Sequence, residues 1–106
     1  MELTQLKNNI EQWSIDRNLD TADSSRQFLK LIEEVGELAS AMARNQEDLI
    51  KDSVGDTFVV LTVLCQQLGI SFEESVELAW DEIKDRKGKM INGVFVKEED
   101  LKWELD

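Results

Sequence analysis

No histidine and no proline occur in this chain, and cysteine occurs once. Without histidine, imidazole-based triads, histidine general bases and histidine-bearing metal sites are excluded. One cysteine forms neither an internal disulfide nor a structural zinc site. Cys65 lies in an apolar run, where a buried and inert thiol is expected. Basic residues are scarce, 12 against 23 acids, which gives a formal net charge of −11. Such a surface repels nucleic-acid backbones and anionic membranes, so neither is an expected partner. A small anion still binds where metal ions neutralise the local acids. The longest apolar stretch is too interrupted to cross a bilayer, and the N-terminus lacks the charged-then-apolar pattern of a secretory signal. The expected location is therefore cytoplasmic.

The 106 residues suit a single domain, 1–106, with a core of about 4–88 and a turn and tail over 89–106. Periodicity is helical almost throughout. Leu6, Ile10 and Trp13 recur at i, i+4, i+7 and mark a first helix of about 4–17. Ser24-Ser25-Arg26-Gln27 reads as a capping box opening a second helix to about Arg44. Phe28, Leu31, Ile32, Val35, Leu38, Ala39 and Met42 form its apolar stripe. A third helix of about 48–68 is apolar on nearly every side from Phe58 to Leu64, which predicts a central position, and Gly69 is placed to end it. Ser71-Phe72-Glu73-Glu74 reads as the opening of a fourth helix with Val76, Ala79, Trp80 and Ile83 inward. Arg86 and Lys87 fall in its expected last turn, where cations suit the dipole. Asn92-Gly93 between short apolar runs is a tight-hairpin signal. In the remaining segment, Leu101, Trp103 and Leu105 are available for docking. The fold class is all-α: a four-helix bundle-like protomer with a short C-terminal hairpin segment, assembling as an oligomer.

Against this pattern stand two acidic clusters inside helices, Glu33-Glu34-Val35-Gly36-Glu37 and Asp52-Ser53-Val54-Gly55-Asp56. On a helical wheel Glu33, Glu34 and Glu37 fall away from the Phe28–Val35–Met42 stripe and converge through i, i+3 and i, i+4 spacings. A solvated helix face looks the same, and Glu73-Glu74-Ser75-Val76-Glu77 supplies an internal comparison. Glu73 and Glu74 sit in an opening turn, where negative charge is favourable and needs no function. The first cluster lies more than two turns past its cap, beyond that benefit. Asp52 and Asp56 continue along one line into Val59 and Val63, so they point toward a groove rather than bulk solvent. Gly36 and Gly55 each cost about 1 kcal/mol inside a helix, which suggests close approach of the two acidic helices. A hard divalent cation between the clusters offsets their repulsion, or else helix packing alone explains the glycines.

Gln27-Phe28-Leu29-Lys30-Leu31-Ile32-Glu33-Glu34-Val35-Gly36-Glu37-Leu38, followed by Asp52-Ser53-Val54-Gly55-Asp56, resembles the MazG-like nucleoside triphosphate pyrophosphohydrolases. These belong to the all-α NTP pyrophosphatase superfamily, which also holds dimeric dUTPases and dCTPases. Its signature is Glu-Glu-x-x-Glu, a spacer, then Glu-x-x-Asp. The resemblance runs from about Trp13 to Phe95. Ser53 stands where the signature has glutamate; either Asp52, i, i+4 from Asp56, substitutes for it, or Ser53 contributes a hydroxyl or positions a metal-bound water.

The resemblance implies hydrolysis of a nucleoside triphosphate to monophosphate and pyrophosphate with Mg²⁺, Mn²⁺ being a possible substitute. It assigns Glu34, Glu37 and Asp56 as metal ligands with Asp52 auxiliary. With no imidazole available, Glu33 becomes the candidate base. Lys30, Lys84, Arg86, Lys87 and Asn92 are candidates for holding phosphates; ion pairing for Lys30 and dipole compensation near the fourth helix's end are the plainer readings. Trp13 and Trp80 lie on apolar stripes, and core packing outweighs base stacking for both. The competing reading is a catalytically silent helical assembly module on the same scaffold, favoured by Ser53. An apolar third helix that few partner helices can cover predicts a homodimer or a dimer of dimers.

Overall fold

The computed structural model of the chain describes residues 1–101. It contains four helices, α1 (Leu3–Asp16), α2 (Ser24–Ala43), α3 (Glu47–Leu68) and α4 (Phe72–Ile83), then strands β1 (Gly88–Ile91) and β2 (Val94–Lys97) and one 3₁₀ turn, Glu98–Asp100. Two compact units result, Met1–Phe72 and the part from Glu73 onward. No single helix among the described residues is long and apolar enough to cross a membrane.

In the first unit α3 packs against both α1 and α2. Its centre is the driest part of the protein: Val60, Val63, Leu64 and Cys65 are buried there, with Ala41 of α2 alongside. Leu61 and Val59 are half-buried, so this helix is covered on several sides, as its all-round apolarity predicts. Burial also pushes the Cys65 thiol above its ordinary pKa, with Glu11 adding to the effect, which keeps it protonated and inert. Gly69 ends α3 with φ 70, the left-handed conformation that glycine adopts without penalty.

Side-chain amides tie the helices together. Gln66 donates to the Glu11 carbonyl at 3.1 Å and Gln67 to the Leu19 carbonyl at 2.9 Å, fixing α1 and its exit along α3. Gln27 donates to the Val60 carbonyl at 3.2 Å. The α2 cap is therefore not the expected serine box. Asp23 accepts from the Ser25 N–H at 2.9 Å, one residue earlier, because a carboxylate satisfies the orphan donor and also suits the dipole. Gln27, freed from capping, faces α3.

Two expectations about packing need correction. The face that α2 turns to α3 carries Gln27, Leu31, Glu34, Leu38 and Ala41, all buried or half-buried. The apolar stripe lies to one side: Phe28, Ile32, Val35 and Met42 are 52%, 53%, 47% and 59% exposed, so the first unit alone does not bury it. Nor do the glycines serve close approach within the protomer. A Cβ at Gly36 or at Gly55 would meet nothing within 4 Å. Gly36 falls on the flank of that open apolar stripe.

In the second unit, α4 begins at Phe72 and carries Glu73 and Glu74 in its first turn, as the internal comparison requires. Val76, Trp80 and Ile83 are about half exposed rather than inward, and Trp13 on α1 is 44% exposed with the Arg17 guanidinium 4.4 Å from its ring centre. Helix α4 ends at Ile83, so Arg86 and Lys87 lie beyond its last turn rather than in it. Strands β1 and β2 pair antiparallel with Ile91 opposite Val94. The two-residue turn has φ 50 at Asn92 and 81 at Gly93, both positive as a type I′ turn demands. Trp103 and Leu105, offered as docking residues, lie outside the described residues.

Candidate metal and nucleotide site

Helices α2 and α3 run antiparallel: Gln27 meets Val60, while further along Glu37 shares a cavity with Asp52 and Ser53. This direction places the first acidic cluster beside the second. Glu34, on the packed face of α2, is half-buried. Its carboxyl is raised above the ordinary glutamate range, first by desolvation, then by the charges of Glu37 and Asp56 and a hydrogen bond to Glu37, with Lys30 acting in the opposite sense. Three of the proposed ligands, Glu34, Glu37 and Asp56, therefore form one electrostatic group.

Two further features show what this group lacks. Around Glu34 the charges of Glu37 and Asp56 are opposed by that of Lys30, which leaves an excess of negative charge when the three acids are ionised. Glu34 Oε2 is buried and has no hydrogen-bond partner. An orphaned acidic oxygen among like charges fits a hard cation with oxygen ligands. Among the described residues no three side chains are gathered into a ready-made metal cage.

The other sequence candidates are spread more widely. Glu33 is exposed on α2, one turn before Glu37. Asp52 lies at the other end of the site, where Glu37, Ser40, Ala41 and Arg44 of α2 and Gln46, Leu49, Asp52 and Ser53 around the start of α3 line a cavity of about 230 Å³. Ser53 itself is 6% exposed and faces inward. Lys84, Arg86, Lys87 and Asn92 belong to the second unit. There Lys84 pairs with Asp81 at 3.3 Å and Arg86 with Glu82 at 3.1 Å. Asn92 occupies the first position of the hairpin turn. Arg44 and Ser40 were not among the sequence candidates. Their signal was present nonetheless, since Glu37, Ser40 and Arg44 are spaced i, i+3, i+7 and share a face.

An antiparallel helix pair carrying Glu-Glu-x-x-Glu and Asp-x-x-x-Asp segments side by side makes a helical, acid-lined candidate site. Residues 23–91 match the MazG nucleotide pyrophosphohydrolase domain, and the chain belongs to that family. Membership places it in the NTP pyrophosphohydrolase superfamily. Among curated proteins it is 54% identical over 67 residues to the uncharacterized 18.2 kDa protein of the rep-hol intergenic region of Haemophilus phage HP1 (strain HP1c1). That alignment covers 62% of this chain and 41% of the phage protein, so the chain spans less than half the length of the relative it matches. No solved structure gives a significant match.

Proposed function

We propose that the protein is a Mg²⁺-dependent nucleoside triphosphate pyrophosphohydrolase that converts an NTP or dNTP and water to the monophosphate and pyrophosphate. The observation that carries this reading is the Glu34–Glu37–Asp56 group with its orphaned Glu34 oxygen, in a chain whose family acts on nucleotides. Glu34, Glu37 and Asp56 would hold the cation, with Asp52 reaching it from the Glu37 end. When bound, Mg²⁺ supplies charge neutralisation for phosphate oxygens and acidifies a bound water.

The chain's own residues then have simple tasks. Phosphoryl transfer asks for positioning and charge compensation more than for an elaborate nucleophile. Glu33, exposed one turn from Glu37, accepts the proton of the attacking water. The water oxygen bonds to the α-phosphorus, the bond from that phosphorus to the bridging oxygen breaks, and the bridging oxygen departs with pyrophosphate. Lys30, the cation acting on Glu34, is placed to meet substrate phosphate on the same helix face.

We further propose that the working form is a homodimer or a dimer of dimers. Phe28, Ile32, Val35 and Met42 leave an apolar stripe exposed, and an open glycine beside it gives a partner helix room to approach. A panel of ribo- and deoxyribonucleoside triphosphates with Mg²⁺, resolving pyrophosphate from orthophosphate, tests the catalytic reading. Release of monophosphate and pyrophosphate supports it, whereas no turnover of any nucleotide favours the silent assembly module that Ser53 allows.

A further inference from the structure

We propose that Arg44 holds the pyrophosphate end of the nucleotide, in the cavity that it lines with Glu37, Asp52, Ser40 and Ser53. The inference rests on the nucleotide reading above but assigns a residue and a subsite that the acidic motifs do not contain. Arg44 follows α2 directly and lies two turns beyond Glu37 on the same face. Its guanidinium makes no hydrogen bond or ion pair with any described residue, although Glu37 and Asp52 line the same cavity. In a chain with 23 acids and 12 bases, an arginine beside two carboxylates and bonded to neither is free to bind a ligand.

The chemistry of the lining selects which end of a nucleotide fits. Two carboxylates, two hydroxyls, one amide and one guanidinium surround the space, with only Ala41 and Leu49 as apolar walls. No aromatic face is present on which a base would stack. The guanidinium fork matches two oxygens of a phosphate or diphosphate, and the serine hydroxyls donate to others. Glu37 and Asp52 would repel a bare anion, so the ligand that suits this mixture is a phosphate group already carrying a divalent cation. The geometry thus orients the substrate: the terminal phosphates toward Arg44, the scissile bond toward Glu34 and Asp56.

The test is calorimetric titration of the full chain with inorganic pyrophosphate in the presence of Mg²⁺, and separately with a nucleoside monophosphate. Charge-assisted hydrogen bonds of this kind correspond to about a 10- to 100-fold change in affinity. Arg44→Ala is expected to weaken Mg²⁺–pyrophosphate binding by about that factor and to leave monophosphate binding within about twofold. Arg44→Lys, which keeps charge and helix propensity but loses the fork, is expected to fall between, and it serves as the folded comparison if the alanine variant is unstable. Pyrophosphate affinity indifferent to both substitutions, equal losses for both ligands, or a wild-type chain that does not bind Mg²⁺–pyrophosphate would each overturn the proposal. Arg44-dependent pyrophosphate binding by a chain that hydrolyses no nucleotide would support this subsite while removing the hydrolytic reading, so the two failures are distinguishable.

Discussion

At Glu34 a stability cost coincides with the role proposed for it. Its folded pKa lies above the ordinary value, chiefly through desolvation and then Glu37 and Asp56. A raised pKa means the folded state favours the protonated form, so this contribution is present at low pH and is lost as pH rises through the folded pKa. The metal-free protein should therefore gain thermal stability from Glu34→Gln at neutral pH, with the gain vanishing in mild acid; scanning calorimetry at both pH values checks this. Mg²⁺ should raise the wild-type Tm and leave that of Glu34→Gln unmoved, since binding requires the ionised carboxylate. At the second cluster, Asp52→Asn should weaken Mg²⁺ dependence strongly and Ser53→Ala only mildly in a metal titration of activity. The reverse order would make the buried serine position the functional contact. The grouping of Glu34 with Glu37 was legible because i, i+3 spacing puts both on one helix face, whereas the nearness of Asp56 depends on how α2 and α3 pair. Arg44 was not, because a lone arginine at a helix end has dipole compensation as its ordinary reading.

At the level of elements, α3 organises the first unit. Its apolar centre binds α1 and α2 from different sides, and glutamine amides fix their positions along it. Gln27→Leu keeps bulk but removes the bond to the Val60 carbonyl, and is expected to cost about 1–3 kcal/mol in chemical denaturation. Gly69→Ala forces a Cβ into the left-handed region and should cost roughly 1–2 kcal/mol. A chain unaffected by either change would mean that α3 is fixed by other contacts. The helices and the hairpin were readable from periodicity and turn chemistry, because both are local. Which face of α2 meets α3 was not, because a sequence reading assigns the apolar stripe to the protomer's own core. The packed line instead carries Gln27, which makes a cross-helix bond, and Glu34, the proposed metal ligand.

For the whole molecule, that displaced stripe is the strongest argument for assembly. Phe28, Ile32, Val35 and Met42 are each about half exposed along one face of α2, an apolar surface of the kind that a second copy would cover. Gly36→Leu meets open space in the protomer, so it should preserve helicity while weakening self-association; sedimentation at low micromolar concentration reads this directly. An active monomer, or association unchanged by a bulky residue at Gly36, would remove the role given to this face. The central claim, that a cation held between α2 and α3 drives cleavage at the α-phosphate, is tested most directly by one product-resolved assay with Mg²⁺ on wild type, Glu37→Gln and Glu74→Gln. The account predicts equal yields of monophosphate and pyrophosphate from wild type and Glu74→Gln, and none from a folded Glu37→Gln variant. Orthophosphate as the product, or equal losses at Glu37 and Glu74, would contradict it.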